Sequence, residues 1–231
     1  MYSSWWARSY RGANTQSTHL LPMLCSLDKT AFLPLVLFVA GGCATAPSSL
    51  HDTSFQRKYG DYTYCELEGK RQANKTDCGP ACLLAVMQYW EAHPLQAGDA
   101  EKYLPHSATG YSLSELKDVA VDRGLKAYII AMRDEPRKRL EEQIRKGRPV
   151  ICAVQRPVSI GPARYIPILG QAFQAGVSRF GPKTNHFVVV MGISNRRVLL
   201  MDPAVGFNSV SWQNFERSWS EMKYATLLLS A

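Results

Sequence analysis

Between Asp77 and His93 the sequence DCGPACLLAVMQYWEAH places Leu83, Leu84, Met87 and Trp90 along one face at helical spacing, with Asp77 at its start and Pro94 beyond its end. The pattern predicts a buried helix that opens at Cys78. A second helix is expected over Ser112–Arg123, where Ser112 followed three residues later by Glu115 forms a capping box and Gly124 supplies the stop. The period then changes. Leu125–Met132 is short and apolar, as a strand requires, and strand-like runs recur at Pro149–Val154, His186–Ile193, Val198–Met201, Phe207–Ser211 and Tyr224–Leu229, with a short helix about Trp212–Trp219. Helices first and antiparallel strands later predict an α+β fold.

The segment before this pattern reads as an address. Residues 1–22 have no periodicity, and a second methionine, Met23, is a candidate initiator, in which case residues 1–22 are not translated. From Met23 a positive end at Lys29 is followed by the apolar run AFLPLVLFVA and by Gly41-Gly42-Cys43, the order of a secretory signal peptide. A buried N-terminal helix is the alternative, and Pro34 within it counts against that reading. Cys43 after two small residues resembles a bacterial lipobox, which implies lipidation at Cys43 and a mature chain that starts there. The expected organisation is therefore a leader over 1–42 (signal peptide 23–42), a tether over 43–60 and one folded domain over 61–231. The expected location is the bacterial cell envelope, lipid-anchored and facing the periplasm from the outer membrane.

Composition narrows the classes further. The chain has 231 residues, 46% of them hydrophobic and 20% charged, which suits a globular domain rather than a disordered one. The formal charge of +8 raises nucleic acid as a partner. The bases cluster in two places that argue otherwise. Residues 133–148 hold seven bases and four acids, with Glu141/Arg145 and Glu142/Lys146 at i,i+4 spacing, so a solvated helix face is expected there. The other is an acid-free stretch at 156–185 that carries Arg156, Arg164, Arg179 and Lys183 and reads as an insertion, either a surface loop or a lid facing membrane or substrate. No nucleic-acid partner is expected.

The six cysteines lack the paired CxxC spacing of a structural zinc site. Cys78 differs from the rest because it opens a helix, where the positive end of the dipole and free backbone N–H groups favour a thiolate. A nucleophilic thiolate needs a proton carrier, and of the five histidines His186 alone begins a presumed core strand, whereas His106 and His93 flank prolines in a loop. Asp202 ends VLLMDP and reaches His186 if their strands form a hairpin through Ser194–Arg197; shaping the turn before Pro203 is its other reading. Attack on a carbonyl also needs oxyanion donors beyond the Cys78 N–H, and the Gln72 amide upstream is the candidate. Cys82 and Cys152 are expected in the core, although a Cys78–Cys82 redox or metal pair stays open, as does the state of Cys65.

Gln72, Asp77-Cys78-Gly79-Pro80-Ala81-Cys82-Leu83, Asn185-His186-Phe187-Val188-Val189-Val190 and Met201-Asp202-Pro203-Ala204, in that order, closely resemble the bacteriocin-processing, double-glycine cysteine peptidases, a papain-like family. The resemblance covers about residues 66–230. It implies a helical part bearing the Cys packed on an antiparallel sheet bearing the His and Asp. It further implies Cys78 as nucleophile, His186 as general base and acid, Asp202 as orienting carboxylate, Gln72 as oxyanion donor, and Gly79 as the residue that lets the chain pack beside the nucleophile. Neither metal nor organic cofactor is required by that chemistry. The implied partner is a protein or peptide substrate cut after Gly-Gly, within a secretion system in many relatives. Two other classes use the same residues: a different thiol acyl transfer, such as transglutaminase-like crosslinking or peptidoglycan amidase work, and a binding module without catalysis.

Overall fold

The computed structural model describes residues 50, 51, 53–90, 103–157 and 183–231. The leader 1–42, Cys43 with the start of the tether, and residues 158–182 of the expected insertion lie outside them.

The chain order is α1 (Thr53–Tyr59), β1 (Thr63–Tyr64), α2 (Cys78–Tyr89), α3 (Leu113–Asp122), β2 (Lys126–Ala131), α4 (Pro136–Arg145), β3 (Val150–Pro157), β4 (Lys183–Ile193), β5 (Arg197–Asp202), β6 (Gly206–Ser211), α5 (Trp212–Ser220) and β7 (Ala225–Ser230). Among the described residues the strands form one antiparallel sheet in the order β2-β7-β3-β4-β5-β6, with β1 added to β4. This is the α+β arrangement expected.

β4 is central, and its sequence says why. Val188 to Ile193 is apolar at every position because both faces of the strand are covered. Val189 and Met191 enter one core with Leu83, Val86 and Met87 of α2 and Leu116 of α3. Val188 and Val190 enter the other with Leu140 and Ile144 of α4 and Trp212, Phe215 and Trp219 of α5. The sheet thus lies between two helical layers.

Local signals hold where they are strong. Ser112 and Glu115 make the reciprocal capping box, with Glu115 N–H on Ser112 Oγ at 3.3 Å and Ser112 N–H on Glu115 Oε2 at 2.7 Å, and Gly124 takes the left-handed φ of +82° that ends α3. In α4 Leu140 and Ile144 are buried and the charges face water, as expected of residues 133–148. Its ion pairs differ from the expected ones: Arg137 pairs with Glu141 at 2.8 Å, and Lys138 with Glu135 at 3.1 Å. Arg137 is fixed there by a second hydrogen bond to the Asn195 carbonyl and by lying 4.9 Å from the Trp212 ring centre.

The tether is shorter than expected. Residues 53–59 form α1, and Phe55 and Tyr59 are fully buried, edge-on to each other, with Phe55 also edge-on to Phe207 and the Tyr59 hydroxyl donating to the Phe207 carbonyl at 3.3 Å. The free-tether reading of 43–60 therefore fails over 53–59, because those two aromatic rings complete the core under α2. β1 follows, and it crosses β4 at Gly192, where a Cβ would stand 2.7 Å from the Tyr64 Cβ; only glycine admits that approach. The insertion also narrows at both ends, since Arg156 pairs with Thr184 and Pro157 with Lys183 in a continuous β3–β4 ladder. Among the described residues no helix is long and apolar enough to cross a membrane.

Candidate active site

Cys78 is the first residue of α2 and is 7% exposed. It is brought against β4 by Gly79, whose absent side chain leaves room for Leu116 and Phe187: a Cβ there would lie 3.1 Å from Leu116 Cδ1 and 3.2 Å from Phe187 Cδ2. The thiol is hydrogen-bonded to His186 and to the backbone N–H groups of Phe187 and Gly79.

His186 and Asp202 meet through the β4–β5 hairpin. The ladder pairs Val189 with Met201, so Asp202 stands opposite position 188 and diagonal to His186 on the same face. His186 Nε2 and Asp202 Oδ1 are 2.8 Å apart, which leaves Nδ1 for the thiol. Asp202 Oδ1 also accepts from the Ala204 N–H at 2.8 Å, and Arg156 Nη1 lies 3.6 Å from Oδ2. Arg156 was expected only as one base of the insertion. Its approach to Asp202 follows from the extended β3–β4 register and has no local sequence signal.

Electrostatics set these groups apart. Burial pushes the Cys78 thiol up, but the hydrogen bond and positive charge of His186, with the two backbone N–H groups, outweigh it and hold the thiol below its ordinary value. Burial alone would depress His186, yet hydrogen bonds and charge from Asp202 and Cys78 raise it to about 9. Asp202 is held below the usual carboxylate range, burial being overcome by His186, Arg156 and the Ala204 N–H. The three shifts therefore all favour the charged forms, a thiolate–imidazolium–carboxylate line that titrates as a coupled unit.

The other described cysteines go the opposite way. Cys65, Cys82 and Cys152 are free and buried. Burial pushes Cys65 up to about 11 despite a hydrogen bond with Tyr89, and raises Cys82 and Cys152 strongly. Cys82 and Cys152 thus sit in the core as expected. Cys65, left open by the sequence, is a third packed thiol. Among the described residues no cluster of three or more His, Cys, Asp or Glu side chains could hold a metal ion.

Gln72 lines the same cleft as Cys78 and His186, a space of about 830 Å³ whose walls include Tyr111, Leu113 and Arg156. Its backbone N–H donates to the Pro203 carbonyl at 3.1 Å, which ties it to the residue after Asp202. Its side-chain Nε2 donates to the Asn74 carbonyl at 2.8 Å and keeps a second N–H. Asp77 occupies the N-cap position of α2 but makes no side-chain cap bond; its carboxylate turns to Asn74 and to His106, a histidine that the sequence placed in a loop without a role. Three of the four residues singled out by sequence thus border one cleft, Cys78 and His186 in contact and Gln72 on its wall, while Asp202 stands behind His186 and lines the adjoining cavity with it. A thiolate, a proton carrier and amide donors around one space can add to a carbonyl, stabilise the oxyanion and protonate a leaving group.

No functionally curated protein matches the chain in sequence. Solved structures similar to it include a double glycine motif protease from an AMS/PCAT transporter in complex with its leader peptide, at 20% identity and a TM-score of 0.48 over 72% of this chain and 92% of that one. The peptidase domain of Streptococcus ComA, a bifunctional ABC transporter of a quorum-sensing pathway, is 19% identical with a TM-score of 0.48 over 70% and 96% of the two chains. A C39-like peptidase from Bacillus anthracis is 15% identical with a TM-score of 0.49 over 71% and 94%. The Peptidase_C39 like family model matches residues 65–227, which span the helix that opens at Cys78 and both strands of the His186–Asp202 hairpin, and the chain belongs to that family.

Proposed function

We propose that the protein is a cysteine endopeptidase that cleaves an exported protein or peptide through a thioester intermediate. The observation that carries this reading is the contrast among thiols: Cys78, against His186, is the one described cysteine lowered from its ordinary value, while Cys65, Cys82 and Cys152 are raised. In this reading the Cys78 thiolate adds to the peptide carbonyl, and the oxyanion receives the Cys78 backbone N–H and the free Nε2 hydrogen of Gln72. His186 protonates the departing amine, then deprotonates a water that hydrolyses the thioester, with Asp202 holding the ring throughout. The sequence resemblance to double-glycine peptidases supports Gly-Gly as the residues before the cut. The leader pattern supports lipidation at Cys43 and a site on the periplasmic face of the outer membrane, with the substrate belonging to a secretion system.

The test is product analysis by mass spectrometry on peptides that carry one Gly-Gly bond, with Ala-Ala and Leu-Leu replacements as comparison. A new free terminus directly after Gly-Gly, formed at least about 10-fold faster than from Leu-Leu, is expected, since a groove shaped for glycine excludes side chains. Amide exchange with an added amine, or altered peptidoglycan fragments in place of a new peptide terminus, would replace the peptidase by a transglutaminase-like enzyme or an amidase.

A further inference from the structure

Asp77 immediately precedes the nucleophile at a position where an aspartate ordinarily accepts from the first-turn N–H groups of the helix. Here it does not: its backbone (φ −91°, ψ 14°) is not extended, and no side-chain cap bond forms. Its carboxylate is spent on the preceding turn. Oδ2 accepts from the Asn74 backbone N–H at 2.9 Å and from Asn74 Nδ2 at 2.8 Å, while Oδ1 meets His106 Nδ1 at 3.2 Å. The Asp77 N–H closes the turn on the Asn74 carbonyl at 3.2 Å.

That carbonyl is the one that receives Gln72 Nε2 at 2.8 Å. A carbonyl oxygen can only accept, so it decides which end of the Gln72 amide is nitrogen; the reversed amide would set two acceptors against each other. Nothing holds the amide from its other end, because Gln72 Oε1 is buried without a hydrogen-bond partner among the described residues. The orientation of the donor in the cleft thus hangs on the position of one carbonyl, and that position is set by the turn that Asp77 holds.

From this chain of contacts we infer that Asp77, braced by His106, is a positioning residue that acts through Asn74 to aim the Gln72 amide at the oxyanion. The inference rests on the peptidase reading of the cleft for its catalytic consequence, and on geometry alone for its structural one. It separates Asp77 from Asp202: one serves the oxyanion side, the other the imidazole.

The experiment is a double-mutant cycle between Asp77→Ala and Gln72→Ala, with Asp77→Asn as the milder variant and the Gln72 side-chain NH₂ signals followed by ¹⁵N NMR. Asp77→Ala is expected to lower kcat about 10- to 100-fold with KM within about 2-fold, less than the loss of an oxyanion donor outright. In the Gln72→Ala background the same change should add less than about 2-fold, because the group through which it acts is gone. Asp77→Asn, which retains one acceptor for the Asn74 N–H, should fall between, and it carries the test if the Ala variant does not fold. Alkylation of Cys78 should stay within about 2-fold of wild type, since the thiolate–imidazolium pair does not pass through Asp77. The Gln72 NH₂ resonances should shift toward those of a free amide in both Asp77 variants. Fully additive kcat losses, or Gln72 resonances unmoved by Asp77→Ala and Asp77→Asn, would overturn the inference. A wild-type protein that cleaves no peptide would instead refute the peptidase reading, and the Gln72 resonances would still decide the role of Asp77.

Discussion

Replacing Cys78 by Ala is expected to reduce peptide cleavage by roughly a million-fold, to the background left by binding and the oxyanion donors. The magnitude follows from the role: without sulfur no thioester forms, and His186 and Asp202 have no group to activate. The same truncation elsewhere should behave as packing does. Cys65→Ala removes a buried thiol that touches Tyr89, and should cost about 1 kcal/mol of stability while the folded protein cleaves at the wild-type rate. Steady-state kinetics together with thermal unfolding separate the two outcomes. Comparable activity loss in both variants would mean that Cys78 matters for folding and not for chemistry.

The second large effect is at Asp202, where two substitutions should differ. Asp202→Ala removes both the acceptor for His186 and its counter-charge, and should lower kcat/KM by about 100- to 1,000-fold at neutral pH. Asp202→Asn should stay within about 10-fold. The Ala204 N–H, which donates to Oδ1 at 2.8 Å, holds the carbonyl end of the new amide toward the ring, and the imidazolium still finds an acceptor for its Nε2 hydrogen. A neutral nucleophile activated by a neutral histidine would depend on the tautomer and lose much more. A preformed ion pair does not, since both ring nitrogens are already protonated.

The pH dependence carries the sign of the same argument. The ion pair exists above the lowered Cys78 value and is lost as pH rises through the His186 value of about 9. The carboxylate favours the charged ring, so Asp202→Asn should move the basic limb of the kcat/KM profile downward from about 9. An unmoved basic limb would show that Asp202 is not coupled to the histidine.

Much of this was legible in the chain because the relevant signals are local. The apolar run after His186 marks a strand and Ser112 with Glu115 marks a helix start, while the close packing at Gly79 beside Cys78 came from the family resemblance. The hairpin that joins His186 to Asp202 needed only a turn at Ser194–Arg197, where Ser194 N–H and the Arg197 carbonyl do close at 2.9 Å. What escaped reading depends on tertiary contacts. α1 is too short to be stable alone and carries charges between Phe55 and Tyr59, so its helix exists through the burial of two rings. β1 has two residues and depends on the missing side chain of Gly192. Arg156 reaches Asp202 through a ladder that continues past the expected end of β3, and His106 reaches Asp77 across 29 positions. N-x-x-D at Asn74–Asp77 is a local turn signal, and the Asp77 carboxylate is taken up by that turn although the residue stands at the start of α2.

The central claim is that Cys78 stands apart from the other thiols as a nucleophile, and site-resolved alkylation tests it most directly. The folded protein is treated with a limiting amount of iodoacetamide between pH 5 and 9, and modification at each cysteine is followed by mass spectrometry. Cys78 should react at least about 10-fold faster than Cys65, Cys82 and Cys152, and should do so well below the ordinary thiol value of about 8.5. A Cys78 no more reactive than Cys65, or reactive only as the pH passes that value, would contradict the account.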